Sequence, residues 1–192
     1  MSNPMTEIHI QRPMRADARR NYEKLVAAAR EVFTDEGSAA SLESVAERAG
    51  VGIGTLYRHF PTRQALLEAV YADEVNAIAR SARELDGLEP WDALVEWVHR
   101  YVGFAATKRA LMDALLDTAP DSDVLMICRT ALREAGDDLI GRGQQAGVVR
   151  RDVDFVDVGR MVSQIAVAPH ADADQKERML QILLDGLRAR PA

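Results

Sequence analysis

Apolar residues recur along most of this chain at the spacing of one helical face. Tyr22, Leu25, Val26, Ala29, Val32 and Phe33 fall at i, i+3, i+4 and i+7, which predicts a helix from about Arg15 that Gly37 ends. Ser41 is suited to cap a short helix with the stripe Leu42, Val45, Ala46 and Ala49, stopped by Gly50. A second short helix is predicted over about Ile53–His59, with Pro61 breaking it and Thr62 capping the next. That next helix is long, about Arg63–Leu85, with Leu66, Leu67, Val70, Tyr71, Val75 and Ile78 on one side. Beyond Gly87, the pattern predicts helices from Pro90 to about Ala105 and over about Arg109–Asp117. Others run from Pro120 and Asp121 to about Ala146, from Asp154 to about Val167, and from Ala173 to about Ala189. No segment alternates as a strand does, and 148–153 reads as a connector. The expected fold is all-α with about nine helices, and residues 1–14 are expected to form a flexible N-terminal arm.

The two short helices and the turn between them satisfy three constraints at once. With Leu42 as the first of twenty positions, the fifth is Ala46, where two helices cross closely and a larger side chain would part them. The ninth is Gly50, where a tight turn favours a left-handed backbone that glycine adopts without penalty. The fifteenth is Leu56, placed to pack the second helix into the core. The pattern predicts a helix-turn-helix over 41–63, whose second helix reads DNA and exposes Gly52, Ile53, Gly54, Thr55, Arg58 and His59. Glycine costs roughly 1 kcal/mol against alanine within a helix. At a helix start it lets backbone N–H groups approach phosphate. Ile53 offers an apolar contact to a thymine methyl.

Charge distribution changes the picture more than total charge. The 192 residues carry a net charge of −6. Through Tyr71 there are nine Lys/Arg and nine Asp/Glu, and from Ala72 onward fifteen and twenty-one, so the acidic excess lies behind the helix-turn-helix. Arg12, Arg15, Arg19, Arg20 and Lys24 cluster near the start, as phosphate contacts require, though a solvated helix face has the same composition. The polar N-terminus, the lack of an uninterrupted apolar run and the single Cys128 predict a cytoplasmic soluble protein with no membrane span and no internal disulfide.

The stretch Gly50–Phe60 (GVGIGTLYRHF) resembles the turn and recognition helix of the TetR (tetracycline-repressor) family of transcriptional regulators, with its T-L-Y-x-H-F ending. Thr62–Leu67 resembles the start of that family's fourth helix, and the motif similarity covers about residues 17–71. The resemblance implies an N-terminal DNA-binding domain over 15–62 and a helical ligand-binding and dimerisation domain over 63–192. It implies hydroxyl contacts to phosphate or bases from Thr55 and Tyr57, backbone contacts from His59 and Arg63, and a phosphate bond from the cap Ser41. Thr62, beside Arg63, joins this expected DNA face. Glu43 departs from the pattern, standing where several relatives carry a basic or neutral residue. A carboxylate there accepts from a cytosine amine or favours the helix end.

In the larger domain, Trp97 and Phe104 lie off the main stripe and Tyr101 near its edge, as on a helix buried on two sides or lining a cavity on one. The resemblance implies a pocket for an unidentified small-molecule effector in this region. Met112, Leu115, Leu116, Met126 and Met161 are candidate walls, and His99, Cys128 and Gln164 candidate polar members; ordinary core packing is the other reading. Phe155, Val158, Val162 and Ile165, the small residues Gly159, Ser163 and Ala166, and the ridge of Met179, Leu180, Leu183, Leu184 and Leu187 suit a homodimer interface or the subunit's own core. The resemblance favours the dimer, and with it a repressor released from a pseudo-palindromic operator. His9, His59, His99 and His170 lack metal-ligand spacing, no cofactor motif or nucleophile is evident, and Asp137–Asp138 and Asp152/Asp154 read as faces and caps. An all-helical enzyme and a redox regulator acting through Cys128 are the alternatives from other classes.

Overall fold

The computed structural model describes Ile8 and residues 16–118 and 122–189. The described residues form eight α-helices and no strand: α1 Ala16–Glu36, α2 Leu42–Ala49, α3 Ile53–His59, α4 Arg63–Arg83, α5 Pro90–Thr118, α6 Asp123–Gln145, α7 Phe155–Ala166 and α8 Ala173–Leu187. The all-α expectation holds. The count is one short of nine because α5 is a single helix of 29 residues. Thr107 and Lys108 interrupt its apolar stripe, but neither is a glycine or proline, and the backbone continues. The expected arm and the helix start at 120–121 lie outside the described residues, apart from Ile8, which is buried. No described helix is long and apolar enough to cross a membrane.

Contacts divide the chain into two compact units. One comprises Glu7–Val75 and Thr107–Cys128, the other Asn76–Ala106 and Arg129–Ala192. The division therefore runs through α4, between Val75 and Asn76, whereas the sequence places the boundary at its start.

In the first unit α1 buries Leu25, Val26, Ala29, Val32 and Phe33, the stripe read from the sequence. Leu66, Leu67, Val70 and Tyr71 of α4 are also fully buried. Arg30 joins the two helices: its Nη2 lies 2.8 Å from Asp73 Oδ2, and its Nε pairs with Glu74. Burial raises the Glu74 pKa above its ordinary value of 4.5; Arg30 pulls the other way and Asp73 adds to the rise. Further along, Glu68 Oε1 accepts from Gln64 Nε2 (2.8 Å) and from Ser122 Oγ (2.7 Å), which ties α4 to the start of α6.

In the second unit an aromatic cluster lies in the interior. Trp97 stacks on Tyr101 at 5.4 Å, and Phe155 meets both edge-on at 5.5 Å. Trp97 Nε1 donates to Ile78 O at 3.0 Å, so the buried indole is satisfied. The Phe155 ring lies against α6 where residue 136 is glycine; a Cβ there would stand 2.2 Å from Phe155 Cδ2. The backbone N–H of Phe155 donates to Asp137 Oδ1 (2.9 Å), while Asp154 and Asp157 cap the same helix end reciprocally. The connector after α6 pairs with the end of α8 through Arg150 N to Leu187 O (2.9 Å) and Ala189 N to Val148 O (3.0 Å).

Gly136→Ala should destabilise the protein by about 1–3 kcal/mol through overpacking, measured by urea denaturation, and Phe155→Leu in the same chain should recover part of the loss. Because the Glu74 pKa is raised in the fold, its contribution is fully present below the ordinary glutamate value and is lost as pH rises through the folded value. Glu74→Gln keeps the neutral form. Its Tm relative to the unaltered protein should rise between about pH 4 and about pH 7; a difference that falls over this range contradicts the assignment.

Candidate nucleic-acid interface

Ser41 starts the helix-turn-helix. Its Oγ accepts from the backbone N–H of Ser44 at 2.9 Å and shares a hydrogen bond with Ser44 Oγ. Glu43 is exposed in the first turn of α2, where negative charge is favoured, while the cap itself is made by Ser41. Gly50 closes α2 at φ 67°, ψ 33°, the left-handed conformation expected there. Val51 N donates to Ala46 O at 3.0 Å, and Ala46 is buried at the crossing. Gly52 then turns the chain into α3 with an extended backbone, and its carbonyl accepts from Thr55 N (2.8 Å) and Leu56 N (3.2 Å).

A single residue of α3, Leu56, is buried. Phe60 follows it into the core and packs 5.1 Å from Tyr22 of α1. The remaining positions turn outward. Ile53 and Tyr57 are 38% and 46% exposed. Gly52, Gly54 and Arg58 are exposed too, and Thr55 and His59 half-buried. The His59 ring stands edge-on to Tyr22 at 6.4 Å. Arg58 folds along its own helix, with Nε donating to Gly54 O (3.1 Å) and Nη2 to Thr55 Oγ1 (3.4 Å). Thr62 Oγ1 accepts from Ala65 N at 3.0 Å and caps α4. Arg63 is half-buried: Nη1 donates to Ala40 O and the guanidinium lies 4.9 Å over the Phe33 ring. Those partners lie far off in sequence, and the local motif carries no sign of them. Arg19, 58% exposed, makes a loose 3.9 Å pair with Glu23.

The residues expected in an effector pocket come from both units. Trp97, Tyr101 and Phe104 form the aromatic cluster, with Ser163 Oγ a long 3.5 Å from the Tyr101 hydroxyl and burial raising the Tyr101 pKa. Met112 is half-buried in the other unit, and the Leu116 side chain lies outside the described part. Met126 is 65% exposed. Met161 and Gln164 line an apolar surface groove of about 650 Å³ along α7 and α8. Cys128 is fully buried, which removes the access a redox cysteine requires.

The residues expected at a dimer interface are mostly covered by their own subunit. Phe155, Val158, Gly159, Val162, Ile165, Leu180, Leu184 and Leu187 are buried within the subunit. Ser163, Met179 and Leu183 of the expected set are half-exposed. An amphipathic helix commits its most apolar row to its own core first. The outer row joins Met179 and Leu183 of the expected ridge to Met161, which the sequence reading gave to the pocket, and to Ile182, which it did not name and which is 72% exposed.

Residues 25–70 match the family described as bacterial regulatory proteins, tetR family, and residues 89–189 match transcriptional regulator SbtR-like, C-terminal domain. The structure is similar to the TetR transcriptional regulator SCO0520 from Streptomyces coelicolor, with 38% identity and a TM-score of 0.74 over 88% of this chain and 99% of that one. It is also similar to the TetR transcription regulatory protein from Mycobacterium vanbaalenii, with 35% identity and a TM-score of 0.72 over 92% of this chain and 100% of that one. The HTH-type transcriptional regulator UidR of Escherichia coli strain K12 is 24% identical over 183 residues, 92% of this chain and 93% of that protein. With a helix-turn-helix whose reading helix is held by one buried line, this chain belongs to the TetR family and is a DNA-binding transcriptional regulator.

Proposed function

We propose that the chain acts as a homodimeric repressor that occupies a pseudo-palindromic operator and leaves it when a small apolar or amphipathic ligand binds. The observation that carries the DNA reading is the shape of α3. One buried residue anchors it, and the exposed Ile53, Tyr57 and Arg58 remain for the groove. Gly52 and Gly54 add bare backbone that phosphate approaches closely. The expected contacts are Ser41, Thr55, Tyr57, His59, Thr62 and Arg63 to the DNA backbone, Ile53 and Arg58 to bases, and Arg19 on the flank.

The dimer reading is supported by Met161, Met179, Ile182 and Leu183, which leave apolar surface on the outer faces of α7 and α8. Two subunits present two recognition helices, as half-sites one DNA turn, ~34 Å, or a multiple apart require. The ligand reading is supported by the aromatic cluster, whose hydroxyl at Tyr101 is a polar handle in an apolar interior. The ligand acts by binding one of two conformations better, and α4 is continuous between the two units.

A gel shift with the DNA flanking the chain's own gene tests the operator reading; absence of salt-sensitive, sequence-specific binding defeats it. Ile182→Glu should give a monomer by sedimentation and weaken operator binding at the same subunit concentration, and an unchanged dimer places the interface elsewhere. Arg63→Ala should weaken binding to every sequence and lower the slope of log affinity against log salt by about one unit.

A further inference from the structure

Several positions of the recognition helix and its cap offer little to a base edge. Gly52 and Gly54 lack side chains, Leu56 is buried, and the half-buried His59 packs its ring against Tyr22. At about 100° per residue, Gly54 and Arg58 each lie about 160° around α3 from Leu56, on either side of the line opposite the core. Arg58 therefore holds the outermost side chain of the helix, with open space around Gly54 one turn below it. Its guanidinium is not loose on the surface: the Gly54 carbonyl and the Thr55 hydroxyl hold it along the helix.

Resting on the DNA-binding reading, we propose that Arg58 is the residue that specifies a guanine in each operator half-site, and that Thr55 is its positioning residue. A guanidinium presents two parallel N–H donors that match guanine O6 and N7, and no other exposed side chain of α3 has that fork. The bond from Nε to the Gly54 carbonyl leaves the terminal nitrogens to face the groove. Thr55 restrains one of them from the side, which limits the rotamers the arginine must give up on binding.

Selection of sites from a random duplex pool tests this with the full chain. The unaltered protein should enrich a half-site with one fixed guanine. Arg58→Ala should flatten the preference at that position about tenfold or more while the other positions persist. Thr55→Val should reduce the guanine-over-adenine ratio several-fold, and Thr55→Ser should restore it. These ratios are taken within each variant, so a change in folded fraction cancels. The same selected sequence for Arg58→Ala, with uniformly weaker binding and a shallower salt slope, overturns the proposal and makes Arg58 a phosphate ligand. An unchanged ratio in Thr55→Val overturns the positioning role. Failure of the unaltered protein to enrich any sequence defeats the operator reading itself, and this inference with it.

Discussion

A helix that reads DNA must keep nearly its whole circumference clear, so whatever holds it in place has to act along one line. Here that line is Leu56, continued by Phe60 onto Tyr22 of α1. Much of the front of the chain serves it. The α1 stripe supplies the surface beneath, and Gly50 takes the left-handed turn that aims the chain. Arg63 reaches back to Ala40 and Phe33 to fix the far end. The pair of Arg30 with Asp73 then joins α1 to α4 near the place where α4 leaves the first unit.

The same trade between covered and uncovered faces explains what was legible in the sequence. Residues 41–63 were read almost completely, because each of their constraints is local: a cap at Ser41, a left-handed turn at Gly50, a buried contact at Leu56. Helix starts marked by cap residues, such as Asp154, were also placed. The continuity of α5 was not, since the polar residues around Lys108 remove the apolar signal without breaking the backbone. The pairing of 148–150 with the end of α8 uses main-chain groups, for which side-chain patterns give no sign.

An apolar stripe does not say which partner it covers. Val158, Val162, Leu180 and Leu184 fit a partner subunit and a private core equally well on paper, and in the fold they belong to the core. Ile182 stands outside that stripe, next to Leu183 and one turn from Met179, and is 72% exposed. Trp97, Tyr101 and Phe104 were grouped correctly because they share one helix at helical spacing. Met126, Met161 and Gln164 were joined to them by residue type alone; Met161 and Gln164 line a surface groove together, and Met126 is exposed in the other unit.

The brevity of α3 has a thermal consequence. A helix of seven residues is well below the ~12–15 needed to persist alone in water, and its entry carries glycines at 52 and 54. Its helicity exists only while Leu56 and Phe60 stay docked. Detaching it exposes two large side chains, while the burial beneath α1 and α4 stays in place. The reading helix is thus the part of this region that opens at a small fraction of the global unfolding free energy. Local opening of this kind would release DNA while most of the chain is still folded, and redocking of Leu56 and Phe60 would restore the grip.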